Sequence, residues 1–398
     1  LVRLAAAGSI DASFSTGSGA NAAVRSIAAM ADGRLVIAGD FTSFNGVAVP
    51  RIARLNANGA LDVTFNPGAG ADNTINSVAV LANNSVVVGG AFTTFGGLTK
   101  NGITRLNADG TLDASFNSGL GANGNILSVG LRRNGKVMLA GTFTAINGVS
   151  RNRFARLNAD GSLDAAFDPG TGANNAVNSV IVFQPPLPVP LQIPITNQFF
   201  VTGGQTNAFD AGTTSGVVDL AVNLGAVADT FRLYYQGVLL LNTNFVGSQT
   251  FSIPYGPGTS TVVTITVNEG NLNSFFQWDY SGTVTPVVNT TERVVIAGDF
   301  TSINGVARNR VAQLNDNGSM DTAFGLGTGS SIVLGMGLNT NLAVPSLLGK
   351  SVVAGSFTTL NGANVSRLAR LNLDGSLDLG FNIGLGADGT INAVLVPP

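Results

Sequence analysis

Arg105-Leu-Asn-Ala-Asp-Gly-Thr-Leu-Asp-Ala-Ser-Phe116 is followed, 51 residues on, by Arg156-Leu-Asn-Ala-Asp-Gly-Ser-Leu-Asp-Ala-Ala-Phe167. Related runs start at Arg54 and lie around Leu314 and Leu371, and a degenerate one opens the chain at Leu4, Gly8, Asp11 and Phe14. Upstream of each full copy stands a second block. Gly39-Asp40-Phe41-Thr42 returns as Gly90-Ala91-Phe92-Thr93, Gly141-Thr142-Phe143-Thr144, Gly298-Asp299-Phe300-Thr301 and Gly355-Ser356-Phe357-Thr358. A third block, Ile75-Asn76-Ser77-Val78, has relatives at Val24, Ile126, Val177 and Ile391. The chain is a repeat protein, and one repeat is one supersecondary unit.

Alternation and turn residues divide the second copy into four strands, Ser77–Ala82, Ser85–Phe92, Ile103–Asn107 and Leu112–Phe116. Asn83-Asn84 joins the first two. Asp109-Gly110 joins the last two, as Asn58-Gly59, Asp160-Gly161, Asn317-Gly318 and Asp374-Gly375 do elsewhere. Such pairs suit the type I′ turn of a tight hairpin, which needs positive φ at both central residues. The segments Thr42–Pro50 and Asn66–Asn73 read as longer loops on the other side.

Four short antiparallel strands in this length make one blade of a β-propeller. The expected fold is all-β, with about six blades: 24–65, 76–116, 127–167, 177–324, 331–381, and one shared by the two ends. That sixth blade would take its first strand from Ile391–Val396 and its third and fourth from Leu1–Ala5 and Ser9–Phe14, and it lacks a second strand. The structural alternative is a β-solenoid, in which the two ends lie apart.

Between Val177–Phe183 and Arg293–Phe300 a hairpin turn is replaced by a second domain. The domain plan is therefore 1–183 and 293–398 for the propeller and 184–292 for a small inserted β-sandwich or jelly roll. Entry is through the stiff spacer Gln184-Pro-Pro-Leu-Pro-Val-Pro190. Strands are expected at Val217–Leu224, Thr230–Tyr235, Thr250–Ile253, Ser260–Val267 and Phe275–Tyr280.

Composition narrows the chemistry. Apolar residues make up 44% and charged residues only 11%, against about 25% charged in ordinary domains. There are 52 Gly, while Lys occurs only at Lys100, Lys136 and Lys350 and Glu only at Glu269 and Glu292, a poor stock for long helices. Net charge is −2 with no basic run, which leaves no phosphate-tracking surface for nucleic acid. No apolar window is long enough for a membrane-spanning helix. His and Cys are both absent, so Ser-His-Asp and Cys-His nucleophilic systems and His-based zinc sites are excluded.

The Arg105–Phe116 and Arg156–Phe167 runs, with the Gly-x-Phe-Thr block, resemble the delta-60 repeat of large secreted bacterial proteins. The resemblance covers 1–183 and 293–398 and implies a propeller without assigned catalytic residues. The insertion resembles small β-sandwich domains of extracellular bacterial proteins through Asp229–Gly237 and Trp278–Tyr280.

Two candidate sites emerge. Oxygen donors at alternate positions beside a Gly turn point to calcium, at Asn107, Asp109 and Asp113, at Asn158, Asp160 and Asp164, and at Asn372, Asp374 and Asp378. The competing reading gives these residues to the hairpin itself. Tyr234, Tyr235, Trp278 and Tyr280 could form a carbohydrate- or protein-contacting patch; the competing reading puts them in the core. The Phe rings at 41, 92, 143, 300 and 357 and at 65, 116, 167, 324 and 381 read as packing between blades.

The functional expectation is a non-enzymatic, extracellular or cell-surface structural or adhesive protein that binds a protein or glycan surface and needs no cofactor unless calcium. Two rivals are a carbohydrate-binding module and a polymerising subunit that self-associates through its incomplete blade.

Overall fold

A computed structural model describes all of the chain except residues 5–8, 185–190, 202–204, 212–213, 225–228, 268–275, 287–291, 326–331, 339–348 and 395–398. The spacer 185–190, Ala5, Phe275 and residues 395–396 of the last expected strand lie outside the described residues. The chain divides into two compact units, Leu1–Gln184 with Glu292–Pro398, and Pro185–Thr291.

The first unit contains five three-stranded antiparallel sheets among the described residues. In repeat one the strands are Val24–Ala29, Leu35–Gly39 and Ile52–Leu55, with the second strand central. Repeat two has Ile75–Val80, Val86–Gly90 and Ile103–Leu106. Repeat three has Ile126–Leu131, Val137–Gly141 and Phe154–Leu157. Repeat four has Val177–Phe183, Arg293–Gly298 and Val311–Leu314. Repeat five has Val333–Leu338, Ser351–Gly355 and Leu368–Leu371. Second strands are the most apolar because both faces are covered. Val36, Ile37 and Ala38 are fully buried, as are Val86, Val87 and Val88. The first and second strands pair with the same bulge in every repeat, as between Val24 and Ser26 opposite Gly39 and Ala38. Gly39 is obligatory there: a Cβ would stand 2.1 Å from the Ala23 carbonyl oxygen.

The turns differ from the sequence expectation in an instructive way. At Asp32-Gly33 the Gly33 N–H donates to Met30 O, the Met30 N–H donates to Arg34 O, and only Gly33 has positive φ. This is a type I turn followed by a left-handed glycine, the longer hairpin loop. The Asp32 carboxylate selects it by accepting the Arg34 N–H. The type I′ turns lie in the segment read as a long loop. Asn45-Gly46 has positive φ at both residues, and so do Gly96-Gly97, Asn147-Gly148, Asn304-Gly305 and Asn361-Gly362. Each closes a two-residue hairpin, Ser43–Phe44 with Val47–Ala48 in repeat one.

The fourth strand is also shorter than its apolar pattern predicts. It is reduced to single bridges such as Leu55 with Leu61 and Leu106 with Leu112. After Asp113 the chain turns, its carboxylate accepting the Ser115 N–H and its carbonyl the Phe116 N–H. The turn sends Phe116 into the core, 1% exposed.

Consecutive repeats share cores. Val36 and Ala38 of repeat one pack with Ile75 and Val78 of repeat two, and Val295 and Ala297 of repeat four with Val333 and Met336 of repeat five. First strands are also stitched by serines: Ser26 Oγ accepts the Val78 N–H at 3.0 Å, Ser77 Oγ the Val129 N–H at 3.1 Å and Ser128 Oγ the Val180 N–H at 3.1 Å.

The second unit has two four-stranded antiparallel sheets. One orders Leu191–Val201, Phe276–Pro286, Gly216–Asn223 and Ser248–Tyr255; the other orders Gln205–Asp210, Val262–Val267, Asp229–Tyr235 and Val238–Phe245. Val218 and Leu220 of the first share one core with Phe231, Leu233 and Ile265 of the second. Leu191–Val201, Gln205–Asp210 and Val238–Phe245 are absent from the sequence expectation. Val238 and Leu239 are exposed despite their side chains, and Gln205–Asp210 buries little, so neither shows the apolar alternation of a half-buried strand.

Both stubs of the insertion are anchored on repeat three. Gln184 Nε2 donates to Leu131 O at 2.7 Å. Glu292 accepts from Arg132 Nε at 2.6 Å and from the Arg133 N–H at 2.7 Å. Replacing 185–291 with Asn-Gly should therefore leave the repeat unit folded, and 185–291 alone should melt cooperatively; loss of the β-type circular dichroism spectrum on deletion would show a shared core instead.

Candidate functional site

The arginine that opens each Arg-Leu-Asn run is the side chain on which the repeat unit converges. Arg105 Nε donates to Asp113 Oδ2 at 2.7 Å, Nη2 to Ser115 Oγ at 3.1 Å and Nη1 to Ala159 O of the next repeat at 2.6 Å. Its guanidinium also lies 4.9 Å from the Phe116 ring centroid. Arg54 and Arg156 do the same with Asp62 and Phe65 and with Asp164 and Phe167. They reach forward to Ala108 O and Asp316 O. Arg3 of the opening segment reaches Ala57 O at 2.8 Å. Beside each clasp runs one backbone bond, from the Ser15, Asn66, Asn117, Asp168 and Gly325 N–H groups to Asn58, Asp109, Asp160, Asn317 and Asp374 carbonyls. The Asx-Gly turn of each repeat is thus the docking point for the repeat before it.

Repeat four departs from the rule and repairs it. Gln313 stands where the others have arginine and keeps only the bond to Asp321, at 2.7 Å. The forward bond, to Leu373 O at 3.3 Å, comes from Arg293, whose guanidinium lies 4.7 Å from the Phe183 ring centroid.

The calcium candidates take part in the same contacts. Asp109 Oδ1 accepts the Thr111 N–H and hydroxyl, Asp113 is held by Arg105 and Ser115, and Asn107 Nδ2 donates to Thr111 Oγ1. Asn158, Asp160 and Asp164 repeat this with Ser162 and Arg156, and Asn372, Asp374 and Asp378 with Ser376 and Arg370. Donors from the protein face these oxygens, which is the geometry of a turn and an ion pair. Among the described residues no group of three or more His, Cys, Asp or Glu is placed to hold a metal ion.

The same bonds depress carboxyl pKa values. The Lys350 ammonium, 2.8 Å away, outweighs burial and with Arg370 holds Asp378 at about 2. Burial pushes Asp62 up, but bonds from Thr64 and Arg54 prevail and hold it at about 2.

The aromatic candidates separate. Tyr235 and Tyr280 are core residues, 5% and 2% exposed. Tyr235 Oη lies 2.7 Å from the Thr214 and Ser260 carbonyl oxygens, and Tyr280 meets Phe231 edge-on. Their place on the inward face removes both from any surface patch. Tyr234 is half-buried. Trp278 is paired with Gln198 in the backbone ladder, and its side chain lies outside the described residues. The inserted unit does carry a groove of about 320 Å³, lined by Asn223, Gln249, Thr250, Asp279 and Ser281 among others, with Asn223 Nδ2 donating to Asp279 Oδ2 at 3.1 Å. Its alternating polar residues sit on strands chosen for their apolar face, so the sequence pattern hides them.

Among the described residues, repeat one is less covered on its first-strand face than the other repeats. Ile27 is 49% exposed, whereas its equivalents Val78, Val129, Val180 and Met336 are 3–7% exposed. Leu1 and Leu4 occupy the third-strand positions of Ile52 and Leu55; they are 46% and 57% exposed where those two are fully buried. Leu1, Val24 and Ile27 line one slot of about 500 Å³, with Thr16–Ala20 at its rim. At repeat five Ile391 N–H donates to Gly355 O, and Arg370 keeps Asp378 and Phe381 but has no forward carbonyl among the described residues.

Segments 31–65, 81–116, 132–167, 293–324 and 349–381 match the model of a β-propeller domain of unknown function, DUF5122. The repeat segments are thus similar to those of a β-propeller family. No curated protein matches the chain in sequence. Among solved structures, an exo-β-1,3-galactanase from Phanerochaete chrysosporium is similar at 12% identity and a TM-score of 0.18, over 63% of this chain and 78% of that one. A family 43 arabinoxylan arabinofuranohydrolase from Bacillus subtilis gives 11% identity and 0.18, over 72% and 92%. Latent PorU from Porphyromonas gingivalis gives 9% and 0.16, over 37% and 16%. Such scores carry no argument about activity.

Two measurements test the clasp. Arg293→Leu should cost about 1–3 kcal/mol in urea unfolding, the range for a bond to a charged group, and adding Gln313→Arg should restore most of it. Independent, additive losses would break the assignment. For the carboxylates, a folded pKa near 2 against an ordinary 3.8 means stabilisation is complete above about pH 4 and is lost as pH falls through about 2. Urea midpoints should hold from pH 7 to 5 and drop between 4 and 2, less steeply in Asp378→Asn.

Proposed function

We propose that the chain is a non-enzymatic, extracellular structural or adhesive protein: a propeller that serves as a stiff scaffold and displays an inserted β-sandwich. What supports this most directly is where the charge goes. The clasping arginines and their aspartates join one repeat to the next, while the groove of the inserted unit is lined mainly by neutral Asn, Gln, Ser and Thr. Neutral hydrogen-bonding side chains of that kind suit a glycan or a polar protein surface. With His and Cys absent, and the repeat carboxylates paired alike in successive copies, catalysis has little to draw on. The finer reading is of six blades of the delta-60 type, with the sixth shared between the Leu1–Phe14 and Ile391–Val394 segments.

Cells or beads displaying the chain should adhere to a glycan-coated or matrix-coated surface, and replacing 185–291 with Asn-Gly should abolish adhesion. Asn223→Ala with Asp279→Ala should weaken it at least about tenfold, the scale of one lost charge-assisted contact. Undiminished adhesion by the deleted chain would assign binding to the repeats; turnover of an oligosaccharide would refute the non-enzymatic reading.

A further inference from the structure

In four of the five repeats one arginine holds a backbone conformation that favours glycine. Arg51, Arg153, Arg310 and Arg367 have φ of 68°, 74°, 72° and 71°, in the left-handed region that few side chains visit. Each offers its carbonyl to the N–H of the glycine that ends the second strand, Gly39, Gly141, Gly298 and Gly355 in turn. Held there, the side chain folds back over the residue after that glycine. Arg51 Nη1 donates to Asp40 O at 3.0 Å, and Arg153, Arg310 and Arg367 do the same with Thr142, Asp299 and Ser356. Arg51 Nη2 also lies 3.4 Å from Asp72 O of the next repeat. Backbone strain of this kind persists only where the surroundings hold it, and here it sets a guanidinium on a carbonyl at the end of the sheet.

Repeat two has the backbone without the side chain. Gly102 stands at that position, with φ of 72° and its carbonyl accepting the Gly90 N–H at 2.9 Å. Among the described residues no donor meets Ala91 O, the counterpart of the four carbonyls that take an arginine. A pocket of about 340 Å³ opens there, lined by Gly90, Ala91, Gly102, Asn123, Gly124 and Asn125 among others. Its edge differs as well. Asn21, Asn123 and Asn174 of repeats one, three and four each accept two successive backbone N–H groups, such as those of Thr42 and Ser43. In repeat two the same bonds, from Thr93 and Thr94 at 2.9 and 3.1 Å, go to Asp72. Thr93 lines the pocket. Among these four repeats, the one without the cation is therefore the one that carries an anion.

We propose that the pocket at Gly102 takes a guanidinium group presented by an arginine of a partner protein. One amino group donates to Ala91 O, as Arg51 does to Asp40 O, and Asn123 O, the counterpart of Asp72 O, accepts from the other. A guanidinium is weakly hydrated for a cation and carries its donors in a flat fork, so carbonyl oxygens compete for it where they would not for an ammonium. Bonds from a charged donor are also the stronger class. The inference goes beyond the adhesive reading and does not draw on the groove of the inserted unit, so either can fail alone.

The probes are a capped Gly-Arg-Gly tripeptide, its citrulline and lysine analogues, and methylguanidinium, titrated into the full 398-residue chain with backbone amide resonances as the readout. Saturable shifts are expected at Gly90–Thr93, Asn101–Gly102 and Asn123–Asn125, and none in 185–291. Citrulline keeps the shape and loses the charge; lysine keeps the charge and loses the fork. Each should bind at least about tenfold more weakly, the step from a charge-assisted forked contact to an ordinary one. Gly102→Arg, at a φ its four counterparts already adopt, should supply the side chain from within, raise the melting temperature and abolish uptake. Arg153→Gly should open a second site of the same kind in repeat three. Equal binding of the lysine peptide reduces the effect to diffuse attraction of cations and overturns the proposal, as does uptake retained by Gly102→Arg. Uptake by Arg153→Gly at repeat three alone overturns it too, since the chemistry would hold while the pocket at Gly102 did not use it. Methylguanidinium bound without the tripeptide would give the pocket to a small free guanidinium compound and overturn the partner's arginine. Should Gly102→Arg fail to fold, the mapped shifts and the analogue ratios in the wild-type chain decide by themselves.

Discussion

A guanidinium has five N–H donors in one plane, two faces and no acceptor, and the repeat uses all three of its nitrogens and one face. Arg105 binds Asp113 and Ser115 within its repeat, covers Phe116 with a face and reserves its last amino group for a carbonyl of the following repeat. Removing such a group from water is costly unless every direction is met. The requirement ties together things otherwise unrelated: the turn geometry that points Ala159 O backward, the Asx turn that orients Asp113, and the ring packing of Phe116. Lysine cannot replace it, since an ammonium lacks both the fork and the flat face.

Repeat four shows that the constraint is on the acceptor and not on the sequence position. Leu373 O needs a donor because repeat five docks there, and the donor comes from Arg293, at the position where repeats one, three and five carry Arg34, Lys136 and Lys350. The insertion enters just before Arg293, and Glu292 beside it is held by Arg132 of repeat three. A turn could be opened for a whole domain there because its two flanks are fixed on repeat three, Gln184 by a hydrogen bond to Leu131 O and Glu292 by an ion pair with Arg132, rather than by the turn they replaced.

The repeats and their first three strands could be read from residue pattern, because apolar period and Gly-Phe spacing report directly on burial. What could not be read were features set by partners distant in sequence. Asp-Gly is compatible with two hairpin loops, and the choice between them rests on whether the Asp carboxylate caps the residue two positions on, as Asp32 does for Arg34. Asn45-Gly46 passed for loop because its flanking strands are two residues each. The oxygen spacing at Asn107, Asp109 and Asp113 does not show the donors that meet it, Arg105, Thr111 and Ser115, since these are set by the turn and the clasp. Tyr235 and Tyr280 looked available because aromatic side chains serve surfaces and cores alike, and only the opposing sheet decides.

Among the described residues, the first-strand face of repeat one and the clasp of repeat five differ from the junctions between repeats. The first leaves Ile27 half exposed; the second holds Arg370 over Phe381 without a forward carbonyl among the described residues. The junction occurs complete between repeats one and two, two and three, three and four, and four and five. Uncovered apolar surface is costly in water at about 25 cal/mol per Å², and a strand edge adds unpaired N–H and C=O groups. The chain's low charge removes the repulsion that would otherwise oppose docking. The same terms, apolar burial and main-chain pairing, hold each repeat to the next at the four complete junctions.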